Sequence, residues 1–334
     1  MRRLAHLLAV LAVTAGALLY ALWGVDFAQL GALLAHADYL LLAPFEACLV
    51  AFFVFSGLRW NLILRSLGRY TLTQSGPAMM IGFAGNNVLP AHLGELVRAV
   101  VFARQSGVPA AAVFMTLVVE RILDVLAILL FYFLAVALIH PFPEQIRLGA
   151  QVVALIVAVA CVGIVVFLRF PGAFERSWER LARSLPAGIR ARGTALLHHA
   201  VLGLASLKSP LMLGRMVAHS LLKWAACGAM VWVSLRAFGD TVSFSVSMIV
   251  IAVMALALTV PTAPGFVGAI QAAFVFALGP FGVAQETALA ASVFYLVAQW
   301  LPVTLVGGIC FAATGLHLRE VRAEAERLES QTTA

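Results

Sequence analysis

The chain has 334 residues, of which 63% are hydrophobic and 11% charged, with a formal net charge of +7 and a mean hydropathy of +1.01. A composition this apolar excludes a water-soluble enzyme domain and marks an integral membrane protein, with no stretch of this sequence left over for a soluble catalytic domain. The basic residues lie in loops between apolar runs, where they set orientation and attract anionic headgroups, so nucleic acid is excluded as a partner.

Met1-Arg2-Arg3 followed by apolar residues 4–23 resembles a signal peptide, and Ala15-Gly16-Ala17 offers a cleavage pattern. The apolar run continues through Trp23, too long for a signal core, and is read as a first transmembrane helix. The next loop carries Asp26 and Asp38 without Lys or Arg, which places it outside and the N-terminus in the cytoplasm. A second span, Tyr39 to Gly57, ends in Arg59-Trp60, Arg65 and Arg69, read as a basic and aromatic edge anchoring the cytoplasmic interface.

Residues 76–90 and 93–104 are two short helical patterns separated by Pro90. Neither spans roughly 30 Å of hydrocarbon comfortably, and a full crossing by the first would invert every later loop. They are expected to form a re-entrant pair whose broken backbone lines a cavity, because irregular backbone is not tolerated against lipid. The third span, Ala111 to Ile139, places Arg121 about 15 Å deep. Its Glu120-Arg121 and Asp124 fall one turn apart and leave one net negative charge, available to Arg98 or Arg104.

A fourth span is expected at Leu148 to Leu168. Between 169 and 215, eight Lys or Arg face two Glu, marking the main cytoplasmic loop, read either as a helix lying in the headgroups or as a solvated linker. The fifth span, Leu211 to Leu235, contains Lys223 beside Trp224, read as snorkelling toward the surface. A sixth follows at Val246 to Val260 and a last at Thr287 to Phe311, where Gln299 either bonds another helix or lines the cavity. The tail from His317 mixes three Arg with four Glu.

Counting from Pro90 and Pro264, Gly94 matches Gly268, Ala99 matches Ala273, Phe102 matches Phe276 and Ala103 matches Ala277. Transporters are often built from two such repeats whose broken helices meet at a central site. The expected fold is therefore an all-α integral membrane protein with about seven or eight transmembrane helices and two re-entrant helix pairs in an internal repeat. Residues 1–316 form one polytopic domain, with repeats 1–169 and 211–316 joined by loop 170–210, and 317–334 form a charged tail.

Charges at membrane depth cost about 3 to well over 10 kcal/mol each, so those gathered between Gly85 and Asp124 need a reason. They are either internal ion pairs that lock helices or a polar site for a charged substrate. The candidate substrate-binding residues are Asn86, Asn87, Pro90, Glu95, Arg98, Arg104, Glu120, Arg121 and Asp124, with Gln271 and Gln299 from the second half. Cys48, Cys161, Cys227 and Cys310 stand singly in apolar segments and read as packing residues. No Walker motif, metal cluster or nucleophile constellation occurs, so no cofactor is expected and the chain reads as a transporter more than an enzyme.

Leu89-Pro90 with Gly94-Glu95 and Arg98, the Glu120-Arg121 and Asp124 triplet, the Arg59-Trp60 edge, and Pro264-Gly265 with Gly268 and Gln271 resemble the lysylphosphatidylglycerol synthetase transmembrane-region family, the flippase-like domain of multiple peptide resistance factors. The resemblance covers about residues 5 to 315. It implies an all-helical protein of a prokaryotic cytoplasmic membrane that translocates anionic or aminoacylated phospholipids, or isoprenoid-linked lipids. Membrane lipids are then the partners, together with a separate lipid-modifying enzyme or glycosyltransferase. Phe266 stands where the family's second motif has Gly, and Gln271 where it has Glu, which puts a carboxylate role there in doubt. This sequence contains no counterpart of the synthetases' soluble aminoacyl-transferase domain, so lipid aminoacylation is not expected. Two further functions stay open: a membrane-embedded transferase with Glu95, Glu120 or Asp124 as general base, and an accessory subunit for a separate enzyme.

Overall fold

The computed structural model describes residues 2–89, 93–139, 209–258 and 263–316, with a few isolated positions between 172 and 194. The expected fourth span, most of the basic loop, the charged tail and Pro90 lie outside the described residues.

Apolar composition and end signals together set the helices, numbered here among the described residues. They are α1 (Arg2–Leu22), α2 (Phe27–Ala35), α3 (Leu42–Leu64), α4 (Leu72–Val88), α5 (Leu93–Ser106), α6 (Ala110–Leu138), α7 (Pro210–Arg236), α8 (Phe244–Ala257), α9 (Ala269–Leu278) and α10 (Gln285–Ala313). The described chain is all-α, and five of its segments are long and apolar enough to cross a membrane, or six if bent α1 and α2 make one span. One of the five is Pro264–Phe281, which contains α9, and α8 is a shorter apolar helix. The protein is an integral membrane protein.

The stretch after α1 is not the loop expected from its two Asp residues. Asp26 caps α2 by accepting from the amides of Ala28 (2.9 Å) and Gln29 (3.1 Å), satisfying two donors that a helix start leaves unpaired. The bend between α1 and α2 is 85°. Asp38 N donates to Ala237 O (2.9 Å), which sets the start of α3 beside the end of α7 and makes these two closely packed helices antiparallel.

α4 stops because Leu89 precedes Pro90. A residue before proline is driven out of the helical region, and Leu89 is extended at φ −97°, ψ 142°. α4 and α5 have 17 and 14 residues, about 25 Å and 21 Å long, and fold back on each other as the expected short pair. Lipid gives helices no hydrophobic reason to associate, so close backbone approach through small residues holds the pair. A methyl group on Gly85 would sit 2.8 Å from Gly94 Cα, and one on Gly94 would overlap Gly82 O and Asn86 N. Gly94→Ala is accordingly expected to lower stability by about 1–3 kcal/mol, read as a lower thermal midpoint in detergent. An unchanged midpoint would contradict this packing.

The second break meets the first. Gly265 and Gly268 have φ of 73° and 86°, and Phe266 adopts 60°, a left-handed backbone that costs a bulky side chain strain. The turn Pro264–Phe266 packs on the end of α4, and a methyl on Gly265 would come within 3.5 Å of Asn87 O. α10 closes this side: Asn87 Nδ2 donates to Thr304 Oγ1 (2.9 Å), and Trp300 Nε1 donates to Asn87 O (3.3 Å). Two large apolar clusters fill much of the described interior. One joins α3, α7, α8, α9 and α10 around Phe45, Phe274 and Tyr295, and the other joins α3, α4, α5 and α6 around Trp60 and Phe102.

Candidate functional site

α6 supplies the acids at the centre of the protein. Glu120 and Asp124 are both buried, one turn apart, and α3, α5 and α7 each bring a cation to them. Asp124 Oδ1 accepts from Arg59 Nη1 (2.6 Å), Lys223 Nζ (2.8 Å) and Trp224 Nε1 (2.8 Å). Glu120 receives both terminal nitrogens of Arg98, at 3.0 Å and 3.4 Å, a two-pronged pairing available to a guanidinium and not to an ammonium. Arg59 Nη2 stands 3.3 Å from Glu120 Oε1, so Arg59 ties the two acids together.

Neutral groups hold these charges in place. The Arg98 guanidinium lies 3.7 Å from the centre of the Trp60 ring, a cation–π contact, and Trp60 Nε1 is itself fixed by Thr116 Oγ1 at 3.0 Å. Ser220 accepts from Arg59 Nη1 (2.9 Å) while donating to Met216 O (2.9 Å). Gly82 makes room for the stem of Arg98, since a methyl there would meet Arg98 Cβ at 2.7 Å.

Arg121 differs from its neighbours. Its side chain is 46% exposed, and it contacts Glu95 (3.3 Å), Glu120 (3.7 Å) and Asp124 (3.6 Å) at the edge of the cluster. Arg59, Arg98 and Lys223 are buried, because α6 turns Glu120 and Asp124 inward and Arg121 to the outer side. Among the described residues, four cations (Arg59, Arg98, Arg121, Lys223) face three carboxylates (Glu95, Glu120, Asp124), a formal balance of +1. Polar capacity is also left over: Asp124 Oδ2, Arg59 Nε and Arg98 Nε are buried without hydrogen-bond partners.

Of the residues expected to bind substrate, Glu95, Arg98, Glu120, Arg121 and Asp124 come together and contact one another as ion pairs. Asn86 sits beside Gly94 at the α4–α5 contact, its Oδ1 buried without a partner. Asn87 instead joins α4 to α10. Arg104 is exposed in the last turn of α5. Gln271 accepts from Gly268 N (2.7 Å) and so caps α9, and Gln299 is half-buried on α10.

Three residues read as reaching the interface, Arg59 and Trp60 on α3 and Lys223 on α7, are part of the site. α3 continues to Leu64, and Arg59 and Trp60 are fully buried against the rest of the protein. Lys223 is buried on Asp124 and does not snorkel. Signals for these were present: Leu62, Ile63 and Leu64 continue the apolar pattern past Arg59, and Lys223 lies more than a dozen residues inside α7.

A network of ion pairs among membrane helices, two of them joined as a short pair and packed against a second backbone break, defines a polytopic membrane protein. The chain belongs to the lysylphosphatidylglycerol synthase transmembrane-region family, which matches residues 7–307. It is similar to UPF0104 membrane protein PH1989 of Pyrococcus horikoshii, 25% identical over 342 residues covering 91% of this chain and 95% of that protein. It is also similar to Glycosyltransferase AglD of Haloferax volcanii, 34% identical over 105 residues covering 31% of this chain and 17% of that protein.

Proposed function

We propose that the protein translocates a lipid between leaflets of a prokaryotic cytoplasmic membrane, with its N-terminus in the cytoplasm. The lipid is an anionic or aminoacylated phospholipid, or an isoprenoid-linked lipid. The observation carrying this reading is Arg121, a half-exposed guanidinium at the edge of a buried network with a formal balance of +1.

A lipid crossing the membrane must keep its phosphate out of hydrocarbon while its acyl chains remain there. Arg121 offers a planar fork matched to two phosphate oxygens, and its present partner Glu95 is 23% exposed and exchangeable. A phosphate that displaces Glu95 from Arg121 frees a carboxylate for the amino group of an aminoacylated headgroup. Arg59, Arg98 and Lys223 keep Glu120 and Asp124 neutralised meanwhile, so the exchange exposes no unpaired buried charge. Without a nucleotide motif in the sequence, movement is equilibration or is coupled to a gradient.

A second reading, a transferase or accessory subunit for lipid-linked substrates, is favoured by the stretch similar to Glycosyltransferase AglD. Purified protein in vesicles containing fluorescent phosphatidylglycerol separates the two. Lipid translocation predicts quenching by an impermeant reductant beyond the outer-leaflet pool, with the lipid chemically unchanged. Quenching limited to the outer leaflet for phosphatidylglycerol, its aminoacylated form and a polyprenyl phosphate would contradict it, and altered lipid would favour the transferase.

A further inference from the structure

A second basic site lies where α3 ends. The chain after Leu64 carries Arg65, Arg69 and Tyr70, and with Leu58, Asn61 and Leu62 of α3 and His219 of α7 these enclose a cavity of about 450 Å³, within the usual range for a small ligand. Its lining presents two guanidiniums, an imidazole, a carboxamide and a phenol, and no carboxylate.

This is the opposite of the buried network, where each cation contacts an acid. Arg65 and Arg69 are exposed and have no acidic partner among the described residues. His219 Nδ1 is buried without a hydrogen-bond partner, although its ring is held against Phe55 at 6.1 Å between centroids. Asn61 Oδ1 accepts from Ser75 Oγ (2.5 Å), which leaves the amide N–H donors for another acceptor. Tyr70 is fixed by its edge-on contact with Phe102 at 5.0 Å. The cavity therefore has a firm floor and uncommitted donors.

Its position relates it to the network. His219 adjoins Ser220, which holds Arg59, and Arg65 is six residues beyond Arg59, about 9 Å along the helix direction. The distribution of Lys and Arg assigns this end of α3 to the cytoplasmic face.

We infer that this cavity binds a phosphate group, carried by a lipid headgroup or by a free phosphate, at the membrane surface and apart from Arg121. The lipid form of the inference rests on the translocation reading, in which the cavity loads headgroups before they reach Arg121. Guanidiniums pair with two phosphate oxygens at once, and the imidazole and carboxamide supply donors for the remainder.

The test is binding to the purified full chain in detergent. Retention of phosphatidylglycerol is followed by native mass spectrometry, and inorganic phosphate is titrated calorimetrically. Arg65→Gln with Arg69→Gln, both at exposed positions, is expected to lower phosphatidylglycerol retention about tenfold, and His219→Gln to lower it less. Weak binding of inorganic phosphate alongside tight lipid identifies the lipid as the source. Equal or tighter binding of inorganic phosphate, lost in the same variants, supports the site with a soluble ligand. Arg121→Gln should retain pocket binding even if it abolishes transport, so failure of the pocket and failure of the translocation reading are seen separately. Wild-type binding of both probes by the folded double variant and by His219→Gln would overturn the inference.

Discussion

Replacing Asp124 by leucine is expected to lower the stability of the folded protein by about 3–5 kcal/mol, because removing one partner of a buried pair leaves the other charge without compensation. Three cations are affected, Arg121 among them through its 3.6 Å contact with Asp124. Lys223 loses the acid 2.8 Å from its nitrogen, and Arg59 loses its 2.6 Å partner while keeping Glu120 at 3.3 Å. Trp224 Nε1 also loses its acceptor. Adding Lys223→Met should recover much of the deficit, since a buried ion pair and an apolar pair of similar volume often differ little in stability. The measurement is the thermal midpoint in detergent for the single and double variants. A single variant as stable as wild type would show that Asp124 does not hold α3, α6 and α7 together, and a double variant no better than the single would place the deficit elsewhere.

The sequence disclosed the acids of this site more readily than its bases. Glu120 and Asp124 stand in the middle of an apolar run, where no membrane edge accounts for them, and the surplus acid in their triplet called for an outside cation. Arg98 met that demand as expected. Arg59 was hidden because an Arg near a span end usually anchors at the surface, and Lys223 because a long Lys stem can reach the surface from within a span; the continuation of α3 past Arg59 and the place of Lys223 midway along α7 show otherwise. The short α4–α5 pair was legible from Pro90 and from helix length, whereas α2 was not, since an Asp in a loop and an Asp capping a helix look alike until the next amides are placed. Asn86, Asn87, Gln271 and Gln299 were grouped with the charges because polar groups in apolar segments look alike in sequence. Their neighbours separate them: Asn87 and Gln271 serve helix contacts and caps.

Arg121→Gln carries the larger functional consequence. The buried pairs Arg98–Glu120 and Lys223–Asp124 remain when Arg121 is lost, so the protein should fold and insert. A hydrogen bond to a charged group contributes about 1.5–3 kcal/mol, so translocation should fall roughly ten- to hundredfold. Arg121→Lys should fall nearly as far, because an ammonium keeps the charge without the fork.

The decisive measurement is the rate at which fluorescent lipid becomes accessible to an impermeant reductant in vesicles holding equal amounts of wild-type, Arg121→Gln or Arg121→Lys protein. The substrate is whichever lipid the wild type moves. The account predicts rapid exposure of inner-leaflet lipid by the wild type and strongly slowed exposure by both folded variants. Wild-type rates from Arg121→Gln would contradict it and leave Arg121 with a structural role alone.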